Sequence, residues 1–287
     1  MLDLNETAVY RSPETDPAYN LSAEEWILDH CPFPSLILYE NSGSVVMGKN
    51  QNPWLECAPD IIAGTHTPVL RRISGGGTVV HGPGNLNVGF VVGRGGFDRR
   101  KQLLLIAEAL SKVGISAEVT DRGDIYVDDR KISGNAMCYR HDRVLHHATV
   151  LVNADLKGLL PAIRPADVRL TTHAIASQRA IVANLTDFNP DLTIKSVIDL
   201  IVSEFMNVYP DADDRFFPDL DDESLQAIVL RHKSWDWVFG RTPRFRYCVA
   251  EDACITVVSG RIQSATREDI CARAGYRVGD KFDLRVI

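Results

Sequence analysis

RRISGGGTVVHGPGNLN, Arg71 to Asn87, sets three consecutive glycines between an arginine pair and a run of β-branched residues. The flanking runs TPVLRRIS and TVVH read as strands, so the glycines form a loop between them. Glycine has no Cβ and adopts positive φ, so three in a row let a backbone come close to a ligand. The N–H groups of such a loop make a nest for phosphate or carboxylate oxygen. Arg71 and Arg72 lie just upstream, and one of them can bring a guanidinium fork to the same anion. Side chains alternate along a strand, so only one can face it. The loop matches neither the P-loop pattern nor GxGxxG. On the glycines alone, a hairpin that merely turns a sheet fits equally well.

A second stretch, GDIYVDDRKISGNAM from Gly123 to Met137, favours a ligand. Lys131 follows a predicted hairpin turn at Asp128-Asp129, small residues Ser133 and Gly134 come next, and Asp124 lies seven positions before it. A carboxylate and a lysine in this order suit a magnesium–nucleotide site, the Asp near the metal and the Lys facing a pentacovalent phosphorus. In HHATVLVNADL, His146 and His147 are neighbours on a predicted strand and face opposite ways. Neither has metal-ligand spacing, which points to structural roles.

The formal net charge of −7 argues against a general nucleic-acid binder. No apolar run approaches the roughly 18 residues of a membrane span. The start of the chain, MLDLNETAVYRSPETD, has neither a basic nor an apolar leader region, so a cytoplasmic location is expected. The six cysteines are scattered and include no CxxC pair, which predicts reduced thiols and no structural zinc.

Asp16-Pro17 opens a predicted helix to about His30, with Leu21, Trp26 and Ile27 as its stripe and Glu24 and Glu25 between. SLILYE, SVVMG and LNVGFVVG read as strands, and QNPWLE as a turn into a short helix. Helices are expected over Arg100–Val113, Ala154–Leu160, Ile194–Tyr209 (capped by Thr193) and Leu225–Lys233. The runs DIYVDDRKIS, Val144–Val152, RFRYCVA, ACITVVSGRI and KFDLRVI read as strands. The acidic PDADDRFFPDLDDES is the linker candidate. The reading is a large α+β domain, 1–218, followed by a small α+β accessory domain, 219–287.

Taken together, DPAYNLSAEE, QNPWLE, RRISGGGTVVHGPGNLN, GDIYVDDRKISGNA, HHATVLVNADL and SWDWVFGRTPRF resemble the lipoate–protein ligase A family in order and spacing. The resemblance implies a mixed or antiparallel sheet flanked by helices, like the catalytic cores of biotin ligases and class II synthetases. It implies condensation of lipoate with ATP and Mg2+ to lipoyl-AMP, then transfer to a lysine. The acceptors would be lipoyl domains of 2-oxoacid dehydrogenases or the glycine cleavage H-protein, with no nucleic acid and no membrane involved. Carried over, ATP and lipoyl-AMP would be held by Arg72, Ser74, Gly75, Gly76, Gly77, Thr78, Val79, Val80, His81, Asn85, Asp124 and Lys131. Lipoate would meet Gly76, Val79, Lys131, Gly134 and His147, with Asp124 a magnesium ligand and Lys131 catalytic. Departures are Gly82 after His81, where the family usually has Asp, Gly123 where it usually has Asn, and Ala148 in place of Gly.

The competing reading is an octanoyl or lipoyl transferase of the same fold that needs no ATP. It requires a nucleophilic cysteine in EVTDRGDIYV or IRPADVRL, and neither run contains one. A biotin ligase would carry a basic GRGRxGR loop, which the glycine run does not resemble, and a non-enzymatic carrier would have no use for Lys131.

Overall fold

The computed structural model describes residues 7–31, 34–58, 67–158, 162–163, 169–178 and 180–283. The elements begin with β1 (Ala8–Arg11), α1 (Pro17–His30), β2 (Ser35–Glu40), β3 (Ser44–Met47), α2 (Pro53–Glu56), β4 (Val69–Arg71) and β5 (Val79–His81). They continue with β6 (Asn85–Gly93), α3 (Arg99–Ser111), β7 (Glu118–Val119), β8 (Ile125–Val127), β9 (Arg130–Ser133), β10 (Asn135–Arg140) and β11 (Arg143–Leu151). The remainder is β12 (Leu170–Thr172), α4 (Ile194–Val208), β13 (Asp213–Arg215), α5 (Glu223–Lys233), α6 (Trp235–Val238), β14 (Phe245–Cys248), β15 (Cys254–Val258), β16 (Arg261–Ala265) and α7 (Glu268–Arg273).

These elements make an α+β fold of two compact units that interleave along the sequence. One comprises 1–42, 81–156 and 179–229, the other 43–80, 157–178 and 230–287. The units thus divide elsewhere than at 218/219. The supposed linker supplies β13, which pairs with β1, and Leu225 and Val229 beyond it pack with Tyr19 and Ala23 of α1.

The first unit is built on a mixed six-stranded sheet, ordered β10-β11-β6-β2-β1-β13. Its long strands β6 and β11 alternate so that Leu86, Val88, Phe90, Val144 and Val150 meet Leu103, Ile106 and Leu110 of α3 and Ile201 and Phe205 of α4. Asp16 caps α1 by accepting from the amides of Ala18 and Tyr19, and Thr193 and Ser196 form a capping box on α4. Glu24 and Glu25, expected between apolar positions of α1, are both buried. The neighbouring strands bring His147 to Glu24 and Arg140 to Glu25. A separate sheet, β7-β8-β9, contains the expected hairpin; Asp128 takes a left-handed φ of 51°, which Asp tolerates in such a turn. No helix forms over 154–158, where the backbone makes a turn pinned by Asn184; 159 and 160 lie outside the described residues.

The second unit holds the sheet β4-β3-β5 and the sheet β12-β14-β15-β16. The latter packs Phe245, Tyr247, Ile255 and Val257 around Trp54 and Phe282. Contrary to the expectation of six reduced thiols, Cys248 and Cys254 are disulfide-bonded, because β14 and β15 set them directly opposite. Burial raises the pKa of the Cys31, Cys57 and Cys271 thiols, Cys57 to about 12, which leaves them unreactive. Of the expected strand KFDLRVI, Lys281 makes only an isolated bridge to Arg261, and 284–287 lie outside the described residues.

Arg71, fully buried, organises this unit. Its guanidinium donates to the carbonyls of Gly48, Lys49, Gln51, Trp237 and Val238 and to the Thr242 hydroxyl, at 2.6–3.2 Å. Trp237 Nε1 donates back to the Arg71 carbonyl at 2.7 Å. Burial lowers its pKa to about 10, which leaves it charged at neutral pH. Among the described residues, no helix is long and apolar enough to cross a membrane.

His146 gives the first unit a pH dependence. The ring is buried beside Phe90 and donates from Nε2 to Asn135 Oδ1 at 3.1 Å, which leaves Nδ1 buried without a partner. Burial, then the nearby His147 and Arg99, pushes its pKa down to about 3. The unfolded chain protonates near the ordinary value of about 6.5, so this stability is complete above that pH and is lost as pH falls toward about 3. Urea titrations across this window should show up to about 1.4 kcal/mol of loss per pH unit from this group, and His146→Gln should flatten that slope.

Candidate active site

In the first unit Lys131 is held from both sides. The isolated parallel bridge between Lys131 and Val182 fixes its backbone: Lys131 N–H donates to Ile181 O, and Ala183 N–H to Lys131 O. Its Nζ lies 2.7 Å from Asp124 Oδ1, and both side chains are 23% exposed, so this is no rim lysine. Gly134 makes the room, since a Cβ there would come within 3.1 Å of Lys131 Cε and 3.2 Å of Nζ. Ser133, two residues along β9, has its hydroxyl buried without a partner. Gly123, at φ 89°, sets the approach to Asp124; a Cβ would meet Asn135 Nδ2 at 2.9 Å, and that amide donates to Gly123 O.

Among the described residues no three His, Cys, Asp or Glu side chains converge on a metal position. Asp124 offers one carboxylate beside Lys131. That fits magnesium, which proteins commonly hold by one or two carboxylates while phosphates and waters complete the octahedron.

The other predicted residues of this unit are buried and oriented. Asn20 of α1 donates to Asn41 Oδ1 at 2.9 Å, and Asn41 Nδ2 lies 2.9 Å from His81 Nδ1. An amide N–H donates in that contact, so Nδ1 accepts and the His81 proton sits on Nε2. Asn85, at the start of β6, has its Nδ2 buried with no partner, a donor available to a ligand. His147 Nδ1 lies 2.8 Å from Glu24 Oε2, both groups buried, with the second Glu24 oxygen unpartnered against Gly89. His146 and His147 do face opposite sides of the sheet, as their adjacency requires.

The glycine loop belongs to the second unit, and here Arg72 differs from expectation. Its guanidinium turns inward on the loop: Nε to Ser74 Oγ at 3.0 Å, Nη1 to Val46 O at 3.1 Å, Nη2 to Gly75 O at 2.6 Å and Gly77 O at 2.7 Å. The fork foreseen for an anion is spent on carbonyls. A planar trans peptide points its N–H opposite its C=O, so the amides of Gly76 and Thr78 point away from Arg72. Thr78 N–H meets Ser177 Oγ at 2.7 Å. Gly76 takes φ 85°, and its carbonyl sits so near Gly48 that a Cβ there would lie 2.1 Å from it. Val79 and Val80 are half-buried.

Glu24, Ser177 and Glu56 escaped the sequence reading as partners of these residues. Ser177 N–H and Oγ both donate to the Glu56 carboxylate. Gln51 accepts from Gly48 N–H and Thr78 Oγ1 and donates to Ser177. QNPWLE is thus the buttress of the glycine loop, and the only signal for Ser177 was a small polar residue in an otherwise unpatterned segment.

Residues 16–206 match the sequence model of the lipoyl protein ligase A/B catalytic domain. The chain belongs to this family. It is 38% identical over 250 residues to lipoate-protein ligase A of Psychrobacter cryohalolentis, covering 83% of this chain and 74% of that protein. Among solved structures, P. falciparum LipL1 in complex with lipoate superposes with a TM-score of 0.74 at 26% identity, over 91% of this chain and 84% of that one. Two others share the fold at lower identity. A lipoate-protein ligase A bound with ATP has a TM-score of 0.66 at 23% identity, over 83% of this chain and 98% of that one. A bipartite lipoate protein ligase of Thermoplasma acidophilum, studied with its E2 lipoyl domain, has a TM-score of 0.66 at 22% identity, over 81% and 96%.

The loop geometry of this lipoyl ligase family member is testable without any substrate. Gly48→Ala should displace the Gly75 and Gly76 carbonyls and break the Thr78–Ser177 bond, so the Thr78 amide should exchange hydrogen at least about tenfold faster. Unchanged protection would mean that Gly48 does not hold the loop.

Proposed function

We propose that the protein is an ATP-dependent lipoate–protein ligase, which activates lipoate as lipoyl-AMP and passes the lipoyl group to a lysine of lipoyl domains or H-protein. Membership of the lipoyl ligase family supports it, as do the lipoate and the ATP named with its structural relatives. The observation that carries it is the Lys131 ammonium, largely buried, held 2.7 Å from Asp124 in the space left by Gly134.

In the first step a carboxylate oxygen of lipoate attacks the α-phosphorus of ATP, and the bond from that phosphorus to the pyrophosphate oxygen breaks. Negative charge gathers on the α-phosphate oxygens, where a fixed ammonium stabilises it. Lys131 fills this role, and Asp124 positions it. Magnesium, when bound, would be held by Asp124 and phosphate oxygens and would neutralise the pyrophosphate as it leaves. Arg72 and the loop it shapes, Ser74 to Thr78, serve the nucleotide together with His81 and Asn85, the Gly76 amide being one that Arg72 leaves facing away from itself. Val79, Val80 and His147 serve the lipoyl chain. In the second step the acceptor ε-amine attacks the lipoyl carbonyl, the carbonyl–oxygen bond to AMP breaks, and the amine loses a proton. A functional division into a catalytic part, 1–218, and an accessory part, 219–287, which cuts across the two compact units, belongs to the same proposal, as does a cytoplasmic setting.

Lipoate-dependent ATP–pyrophosphate exchange tests the reading, because a thioester transferase shows none. Lys131→Ala should lower the exchange rate by about two to three orders of magnitude while the circular dichroism spectrum stays that of the parent. Full exchange in that variant removes Lys131 from the chemistry, and no exchange in the parent protein removes ATP from it.

A further inference from the structure

Although the chain carries a net charge of −7, the segment 94–101 holds Arg94, Arg99, Arg100 and Lys101 against one carboxylate, Asp98. That carboxylate is occupied as the cap of α3, accepting from the amides of Arg100 and Lys101. Arg99 and Arg100 anchor on neutral carbonyls, those of Asp121 and Val119, so their charge stays uncompensated by any acid in salt-bridge range among the described residues. An acidic protein here carries a local cationic patch.

The patch continues into aromatic surface at the outer strand β10. Tyr139 is 53% exposed, its ring edge-on to Phe97 at 5.9 Å and the Arg94 guanidinium 5.7 Å above it. Tyrosine, arginine and methionine are the side chains that protein interfaces favour, and the Tyr139 hydroxyl also touches Met137. At its other end the patch reaches the reactive lysine. Arg99 packs on Gly123, within about 3 Å of where a Cβ would stand, and the next residue is Asp124, the partner of Lys131.

We propose that Arg94, Phe97, Arg99, Arg100 and Tyr139 form the docking surface for the acceptor protein, an acidic domain that presents its target lysine beside Lys131. This rests on the reading of the protein as a lipoyl-transferring ligase. Transfer needs an acceptor close to Lys131, and a uniformly acidic enzyme would repel an acidic one; the patch removes that repulsion where it matters. The aromatic component and the net negative charge argue for a folded protein over a nucleic acid. Because a modified acceptor must leave, attraction through exposed charges, fast and salt-sensitive, suits the task better than a large apolar interface.

The two half-reactions separate this surface from the chemistry. The variants are Arg94→Glu with Arg100→Glu, and separately Tyr139→Ala; all three residues are exposed. Pyrophosphate exchange is measured first, then transfer to apo lipoyl domain of a 2-oxoacid dehydrogenase and to apo H-protein. Exchange should stay within about twofold of the parent, while KM for the acceptor rises tenfold or more with kcat little changed. The parent's KM should also rise from 50 to 300 mM salt, and the double variant's should not. An unchanged acceptor KM in both variants, a salt-insensitive parent, or exchange without transfer to either acceptor overturns the docking surface and leaves the adenylation reading intact. Exchange lost together with transfer in the variants also overturns it, by placing these residues in the adenylation site. Absent exchange in the parent overturns the underlying reading instead.

Discussion

Two adjacent arginines, Arg71 at the end of a short strand and Arg72 just beyond it, govern the second unit and take different tasks. Arg71 buries its charge and satisfies it on five backbone carbonyls from two distant segments. Arg72 closes on Gly75 and Gly77. A buried cation is costly unless every donor is met, and the chain meets them with peptide groups rather than acids. The glycine loop therefore closes around a cation with the Gly76 and Thr78 amides turned away from it, the inverse of an arginine reaching across a nest to a ligand.

The first unit pairs cations with carboxylates, Lys131 with Asp124 and Arg140 with Glu25, where one member alone would be expensive, and sets the His147 ring against Glu24 by a hydrogen bond. Two glycines, Gly123 and Gly134, matter here through the space they leave, one for Asn135 and one for the lysine itself. Asn135 fills the space beside Gly123 with its amide and donates to the Gly123 carbonyl.

Much of this was legible in the residues. Asp16-Pro17, Thr193 and the Asp128-Asp129 turn announce their elements by chemistry that acts within a few positions, and the long amphipathic runs announce theirs by period. The position of Lys131 next to small residues was likewise readable. What could not be read depends on contacts distant in sequence. Nothing local says that Glu24 meets His147, that Glu56 holds Ser177, or that the carbonyls of Trp237 and Val238 receive Arg71. The hydrogen bonds of Arg72 were unreadable for a related reason: a guanidinium near glycines fits an anion or the loop's own carbonyls, and sequence does not choose between them. The cysteines misled because sparse, scattered thiols conceal a pair that a hairpin sets face to face.

The bonding of Arg71 also bears on how the protein meets acid. Every acceptor around that guanidinium is uncharged, so no protonation event between neutrality and pH 3 weakens the knot. His146 stakes its own unit on remaining neutral. The Arg71 knot thus ignores hydrogen-ion activity, whereas the packing around His146 begins to yield to it. Mild acidification is accordingly a means of loosening the surroundings of His146 while the Arg71 knot holds.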